Sequence, residues 1–233
     1  MHVFDVRRRC FVQSARGDSG GRRSVVFAQV RWYGPGVSSL RYIQHRINTL
    51  DALRAVPEEV GIEFDLRSDG NRVLVTHDPF TDGPRIEEFF PLIGKRPCIF
   101  NVKCEGIEAR VCELAARYGI EDFFFLDLSV PAAMKLARGH ETRIAVRYSE
   151  VEPVEAVLAW QGKAQWVWVD CFSAYPPDLA AWQEIAKHFR ICLVSPELQG
   201  HTAERSAEIR ASLLGRHFDA VCTKNILSWI NPS

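Results

Sequence analysis

Two carboxylates one residue apart, Glu63 and Asp65, close an apolar run, and a histidine stands on either side of them in the chain, at His45 and His77. Side chains alternate faces along a β-strand, so Glu63 and Asp65 share a face at the end of one strand. Carboxylates held that close repel unless a proton or a cation lies between them. Histidine is the side chain best placed to move protons near neutral pH. The combination reads as a metal-assisted acid/base site. Hard oxygen ligands select Mg2+ or Ca2+, and neither a cysteine pair nor a histidine pair points to zinc. Such an ion would neutralise charge on a phosphate, with one histidine taking a proton from the attacking oxygen and the other giving one to the leaving alkoxide. The purely structural alternative is a carboxylate pair bound up with Arg46 or Arg67 in an ion-pair network.

The elements that must position these groups repeat along the chain. Short apolar runs at residues 40–44, 60–66, 98–102, 123–128, 143–146, 166–169, 191–194 and 220–222 alternate with segments of helical period. Ile107, Val111, Leu114, Ala115 and Tyr118 mark one helical face, Val154, Val157 and Leu158 a second, and Leu179, Trp182, Ile185 and Ala186 a third. Helix signals agree: Ser129 precedes Pro131, Ser149 and Glu152 have capping-box spacing, and Gly119 follows the first of these helices. Near-continuous apolar strands between helices imply a parallel sheet, and eight of them predict an α/β fold of the (β/α)8 TIM-barrel kind. A doubly wound sheet would need polar groups only near its switch point. Here the strand ends carry His45, Glu63 with Asp65, Asn101 with Lys103, Asp127 with Ser129, Arg147, Asp170, Glu197, and Thr223 with Lys224. A barrel gathers function at the C-terminal ends of its strands, and this series fits one. Trp166 and Trp168 share a face and read as core, with the lining of a pocket as the alternative. The hairpin before His77 turns at Asp69-Gly70-Asn71, and Asn48-Thr49 reads as the cap of the first helix.

The ordered set His45-Arg46, Glu63-Phe64-Asp65 and His77-Asp78, continued by Asn101-Val102-Lys103, resembles the glycerophosphodiester phosphodiesterase family among the phosphatidylinositol phospholipase C-like phosphodiesterase barrels. The resemblance covers roughly residues 40 to 230. It implies a metal-dependent phosphoric diester hydrolase acting on a small phosphodiester, either a glycerophosphodiester or a sugar or polyol phosphodiester. It assigns His45 and His77 to acid/base catalysis, Arg46 and Lys103 to phosphate, and Glu63, Asp65 and Asn101 to Mg2+ or Ca2+. Arg147, Asp170 and Glu197 are rim candidates. The chain departs from the family pattern twice. Only Ile47 separates Arg46 from Asn48, so the first loop is short, and Asn101 stands where the family has a glutamate ligand. Glu105, Asp170 or Glu197 could compensate from the same rim. A non-catalytic phosphosugar-binding barrel, a phosphodiester lyase of the sphingomyelinase D-like type, and a barrel lyase or isomerase acting on a phosphorylated sugar remain as alternatives.

With 233 residues, of which 47% are hydrophobic, the chain suits one core. Two divisions follow: residues 1–38, basic and rich in glycine and serine, as a poorly ordered tail in which 25–33 could add a strand, and residues 39–233 as the barrel. The natural start could also lie downstream of Met1. Net charge is zero and the basic residues beyond the tail are scattered, which argues against nucleic acid as a partner. The seven cysteines are odd in number and mostly lie in apolar runs, as reduced thiols do. No run approaches the ~18 apolar residues of a membrane span, and no secretory apolar segment opens the chain. A cytoplasmic protein with a small-molecule phosphodiester substrate is expected. His2, His140, His188, His201 and His217 show no partner arrangement and read as surface or capping residues.

Overall fold

The computed structural model describes residues 40–230. The expected tail at 1–38, with the strand suggested at 25–33, lies outside them. All eight apolar runs are strands of one parallel sheet: β1 (Arg41–Gln44), β2 (Gly61–Asp69), β4 (Cys98–Val102), β5 (Phe123–Leu126), β6 (Ala145–Tyr148), β7 (Trp166–Val169), β8 (Arg190–Val194) and β9 (Ala220–Thr223). β3 (Arg72–Val75) is an antiparallel partner of β2, with Asp69 opposite Arg72 across the Gly70-Asn71 turn. Neighbouring strands run β5-β4-β2-β1-β9-β8-β7-β6. The two ends of that order meet at a parallel bridge between Phe125 and Ile144, where Phe125 N donates to Arg143 O at 2.8 Å. The sheet is therefore a nearly closed TIM barrel with its weakest seam between β5 and β6.

Helices fill the crossovers: α1 (Leu50–Ala55), α2 (Ile86–Phe89), α3 (Glu108–Arg117), α4 (Val130–Arg138), α5 (Val154–Leu158), α6 (Leu179–His188), α7 (Ala203–Ala211) and α8 (Leu227–Ile230). Short polar side chains stop their first turns. Thr49 accepts from Ala52 N, Ser129 from Ala132 N, Asp178 from Ala180 N and Ala181 N, and Thr202 from Arg205 N. Gly119 follows α3 with φ 67°. The Ser149–Glu152 pair forms at 2.5 Å, but α5 starts only at Val154, after Pro153, so the pair orders the loop ahead of the helix rather than capping it.

The pleat decides what β2 delivers. Its outward residues Ile62, Phe64 and Leu66 are buried against the helices, in a cluster with Phe89, Phe90, Phe100, Phe123 and Phe125. Phe64 stands 4.9 Å from Phe89 and 5.3 Å from Phe100, ring centre to ring centre. Each such buried ring contributes roughly 1.5–3 kcal/mol, so the outer face holds the strand firmly. The opposite face, carrying Gly61, Glu63 and Asp65, points into the barrel. A Cβ on Gly61 would stand 2.9 Å from Pro97 O and 3.0 Å from Ile43 Cγ1, which is why glycine occupies that position. Below the carboxylates the interior is closed by Ile43, Ile99, Phe124, Leu126, Trp166, Trp168, Cys192, Val194 and Cys222. Trp166 and Trp168 are core, as expected.

Candidate active site

Register places the acids next to the amide that replaces a third acid: Asp65 is opposite Asn101 across the β2–β4 ladder, and Glu63 is opposite Ile99. Glu63 is fully buried and Asp65 is 1% exposed. Glu63 Oε1 accepts from Asn101 Nδ2 at 2.8 Å, and Oε2 accepts from the backbone N–H of Arg46 at 2.6 Å. Arg46 can turn that N–H toward the carboxylate because it leaves β1 in the left-handed region, φ 57°. Burial above all, then the negative charge of Asp65, raises the Glu63 carboxyl to about 7 despite those donors.

Asp65 is held by Asn48, which donates from Nδ2 to Oδ2 at 2.7 Å and accepts from Asp65 N on Oδ1 at 2.9 Å. Asn48 is thus a member of the site, while Thr49 alone caps α1; the reading of both as cap residues holds for Thr49 and is corrected for Asn48. Arg46 Nε lies 3.8 Å from Asp65 Oδ2, and Lys103 Nζ lies 3.5 Å from Oδ1. Arg67 is not a carboxylate partner. It donates to the backbone oxygens of His77 at 2.7 Å and Lys103 at 3.0 Å, tying the ends of two strands together.

His45 sits at the end of β1 with Nε2 3.7 Å from Glu63 Oε2, and its buried Nδ1 has no partner. Burial first, then the positive charges of Arg46 and Lys224, push this imidazole down to about 4, so it is neutral at pH 7. His77 is half-exposed beyond β3, and its Nδ1 pairs with Asp78 Oδ1 at 2.7 Å, leaving Nε2 free to exchange a proton.

The rim candidates divide. Lys103 Nζ donates to Asp127 Oδ2 at 2.8 Å, Asp127 Oδ1 accepts from Arg147, and Arg147 also donates to Asp170, whose Oδ1 accepts from Gln199 Nε2 at 2.8 Å. Burial pushes the Asp127 carboxyl up, but the charges of Arg147 and Lys103 outweigh it and hold the group below the usual range. Burial raises Asp170 to about 6, in spite of Arg147. Glu197 belongs elsewhere: it accepts from Thr223 Oγ1 at 2.5 Å and Lys224 N at 3.1 Å, and from Ser195 Oγ. Glu105 is exposed beyond β4. Glu105, Asp170 and Glu197 make no hydrogen bond or ion pair with Glu63 or Asp65.

Among the described residues no group of three His, Cys, Asp or Glu side chains is arranged to hold a metal. The donor set compatible with a hard cation is Glu63, Asp65 and the amide oxygen of Asn101. Asn101 Oδ1 is buried without a hydrogen-bond partner, a costly state for an acceptor unless something electropositive meets it. By that criterion the residues present fit Mg2+ or Ca2+.

No protein-family model matches the sequence, and no curated protein matches it either. Solved structures do match the fold. A glycerophosphodiester phosphodiesterase from Thermotoga maritima superposes with TM-score 0.60 at 16% identity, covering 83% of this chain and 98% of that one. An Oleispira antarctica phosphodiesterase, solved in complex with its product sn-glycerol-3-phosphate, gives TM-score 0.55 at 13% identity, covering 79% and 92%. A tryptophan synthase α-subunit from Pyrococcus furiosus reaches 0.50 at 14% identity, covering 80% and 86%. Phosphodiesterase barrels are thus among the structural neighbours, and a barrel of different chemistry stands only slightly further away, so the likeness establishes architecture and the residues must carry the function.

Proposed function

We propose that this barrel is a metal-dependent phosphoric diester hydrolase acting on a small phosphodiester, a glycerophosphodiester or a sugar or polyol phosphodiester. The observation that carries the reading is the gathering of His45, Arg46, Glu63, Asp65, Asn101 and Lys103 through direct contacts at the C-terminal ends of three adjoining strands. The family resemblance of the three short motifs and the phosphodiesterases among the structural neighbours support it.

Glu63, Asp65 and Asn101 Oδ1 would hold Mg2+ or Ca2+, which when bound supplies a positive centre for a phosphate oxygen. Arg46, half-exposed, and Lys103 would bind the remaining phosphate oxygens, the first as a planar fork and the second as a point charge. His45 is the base: neutral at pH 7, it takes a proton from water as the water oxygen bonds to phosphorus. His77 is the acid. Its Nδ1 is held by Asp78, and Nε2 gives a proton to the alkoxide as the P–O bond breaks. Water enters, alcohol and phosphomonoester leave, and the two histidines exchange protonation states until solvent resets them. The six described cysteines are free thiols, which supports a reducing cytoplasm as the setting. No described helix is long and apolar enough to cross a membrane.

The test is release of alcohol from a panel of glycerophosphodiesters and sugar phosphodiesters, with Mg2+, Ca2+ or chelator. Turnover of at least one substrate that stops with chelator and falls in His45→Ala is expected. A folded protein that hydrolyses none of the panel with either ion would overturn the proposal. A cyclic phosphate product would replace water by a substrate hydroxyl as nucleophile.

A further inference from the structure

The chain of ion pairs running from Lys103 to Asp170 takes no part in the acid/base steps, yet it includes a phosphate-binding group. Lys103 Nζ stands between two carboxylates, 2.8 Å from Asp127 Oδ2 and 3.5 Å from Asp65 Oδ1. We propose that Asp127 is a positioning residue for Lys103, drawing its ammonium into the closer of two carboxylate contacts and so setting the place where phosphate meets it, with Arg147 and Asp170 fixing Asp127 in turn. The inference rests on the reading of Lys103 as a phosphate contact.

Lysine is a compact charge on a flexible four-carbon stem, so its location is set by its partners. Without Asp127, its nearest anion would be Asp65. A closer Lys103–Asp65 pair would set the ammonium more tightly on a carboxylate needed for the cation. Asp127 takes the shorter contact, 2.8 Å against 3.5 Å for Asp65, and it cannot swing away. Both of its oxygens are committed, Oδ2 to Lys103 and Oδ1 to Arg147. Arg147 is anchored by Asp170, which is 1% exposed and is itself held by Gln199. Asp127 also adopts the left-handed region, φ 62°, directly after β5. Aspartate enters this region more readily than most side chains, so the turn accommodates Asp127 at the strand end. Arg46 adopts the same region after β1, so the Asp65–Lys103 contact is bracketed by two strand ends turned in this way.

A competing role is mechanical: Asp127 and Arg147 straddle the β5–β6 seam, and their ion pair could serve only to clip it. The two roles separate in a double-mutant cycle. Binding of sn-glycerol 3-phosphate to the full chain with Mg2+ is measured by calorimetry for the wild type, Lys103→Met, Asp127→Asn and the double variant, with melting temperatures recorded alongside. Each single variant should weaken binding about tenfold, and the double should be no weaker than Lys103→Met alone. Wild-type affinity in Asp127→Asn beside a weakened Lys103→Met, or losses that multiply in the double, would overturn the positioning role while leaving the phosphate role of Lys103 intact. Wild-type affinity in Lys103→Met would remove that phosphate role and the inference with it. Should Asp127→Asn fail to fold, Arg147→Gln replaces it in the same cycle. Its loss of affinity should likewise vanish in the Lys103→Met background, and persistence there would overturn the inference.

Discussion

Asn48 and Asp65 exchange two hydrogen bonds, side chain to side chain at 2.7 Å and backbone N–H to amide oxygen at 2.9 Å. The pair joins the loop after β1 to the carboxylate strand, and Ile47 N, which donates to Glu63 O at 2.8 Å, seals the same junction. The short first loop is therefore compatible with a built site, since one residue after Arg46 suffices to bring Asn48 onto Asp65.

Asn48→Ala should lower stability by about 1–3 kcal/mol, the cost of leaving a buried carboxylate without a donor. Thermal melting checks the size. Addition of Mg2+ or Ca2+ should recover more stability in this variant than in the wild type, because the cation then answers a charge that has lost its partner.

Asn101→Glu should strengthen divalent binding and weaken the metal-free fold, since three buried carboxylates repel where two already do. Calorimetry should show tighter binding of Mg2+ or Ca2+, and melting without metal should occur at a lower temperature. Unchanged affinity would mean that position 101 does not face the ion.

Burial and Asp65 raise Glu63 to about 7. Sign follows directly: near and below pH 7 the metal-free carboxyl carries a proton, and a cation must displace it, so apparent affinity rises with pH through about 7 and binding releases protons. Calorimetry at pH 6.5 in buffers of different ionisation enthalpy would count them. Release should approach one proton and vanish in Glu63→Gln, which should also bind the ion weakly.

With His77 as acid, His77→Ala should slow release of a poor alkoxide leaving group by about 10² to 10⁴, roughly 3 to 5 kcal/mol of barrier, and release of a nitrophenolate far less. His45→Ala should slow both alike. Burial holds His45 near 4, so the acidic limb of kcat/KM should not carry the ordinary histidine value near 6.5. Equal sensitivity of both substrates to His77→Ala would remove it from the acid role.

The barrel was legible because buried strands must be apolar and the helices between them must show one apolar stripe. The runs at 98–102 and 166–169 coincide with β4 and β7. The run at 123–128 overshoots β5, which stops at Leu126 because Asp127 turns into the left-handed region. The run at 143–146 stops short of β6, whose last residues, Arg147 and Tyr148, hide behind a charge that pairs at the rim. Glu63 and Asp65 were legible from alternation alone. Asn48 was not, since Asn-Thr before a helix is equally a cap, and only the tertiary approach of β2 separates the two residues. The links among Lys103, Asp127, Arg147 and Asp170 join strands 20 or more positions apart in the chain, and no local pattern encodes such pairing.

The most direct measurement is kcat/KM for a glycerophosphodiester with Mg2+ or Ca2+, compared between the wild type and His45→Ala, Glu63→Gln and Asp65→Asn, each confirmed folded by melting. Chelator-sensitive hydrolysis in the wild type, with losses of about 10² or more in each variant, is the expected result. Hydrolysis that survives chelation and all three substitutions would contradict a catalytic centre at the ends of β1 and β2.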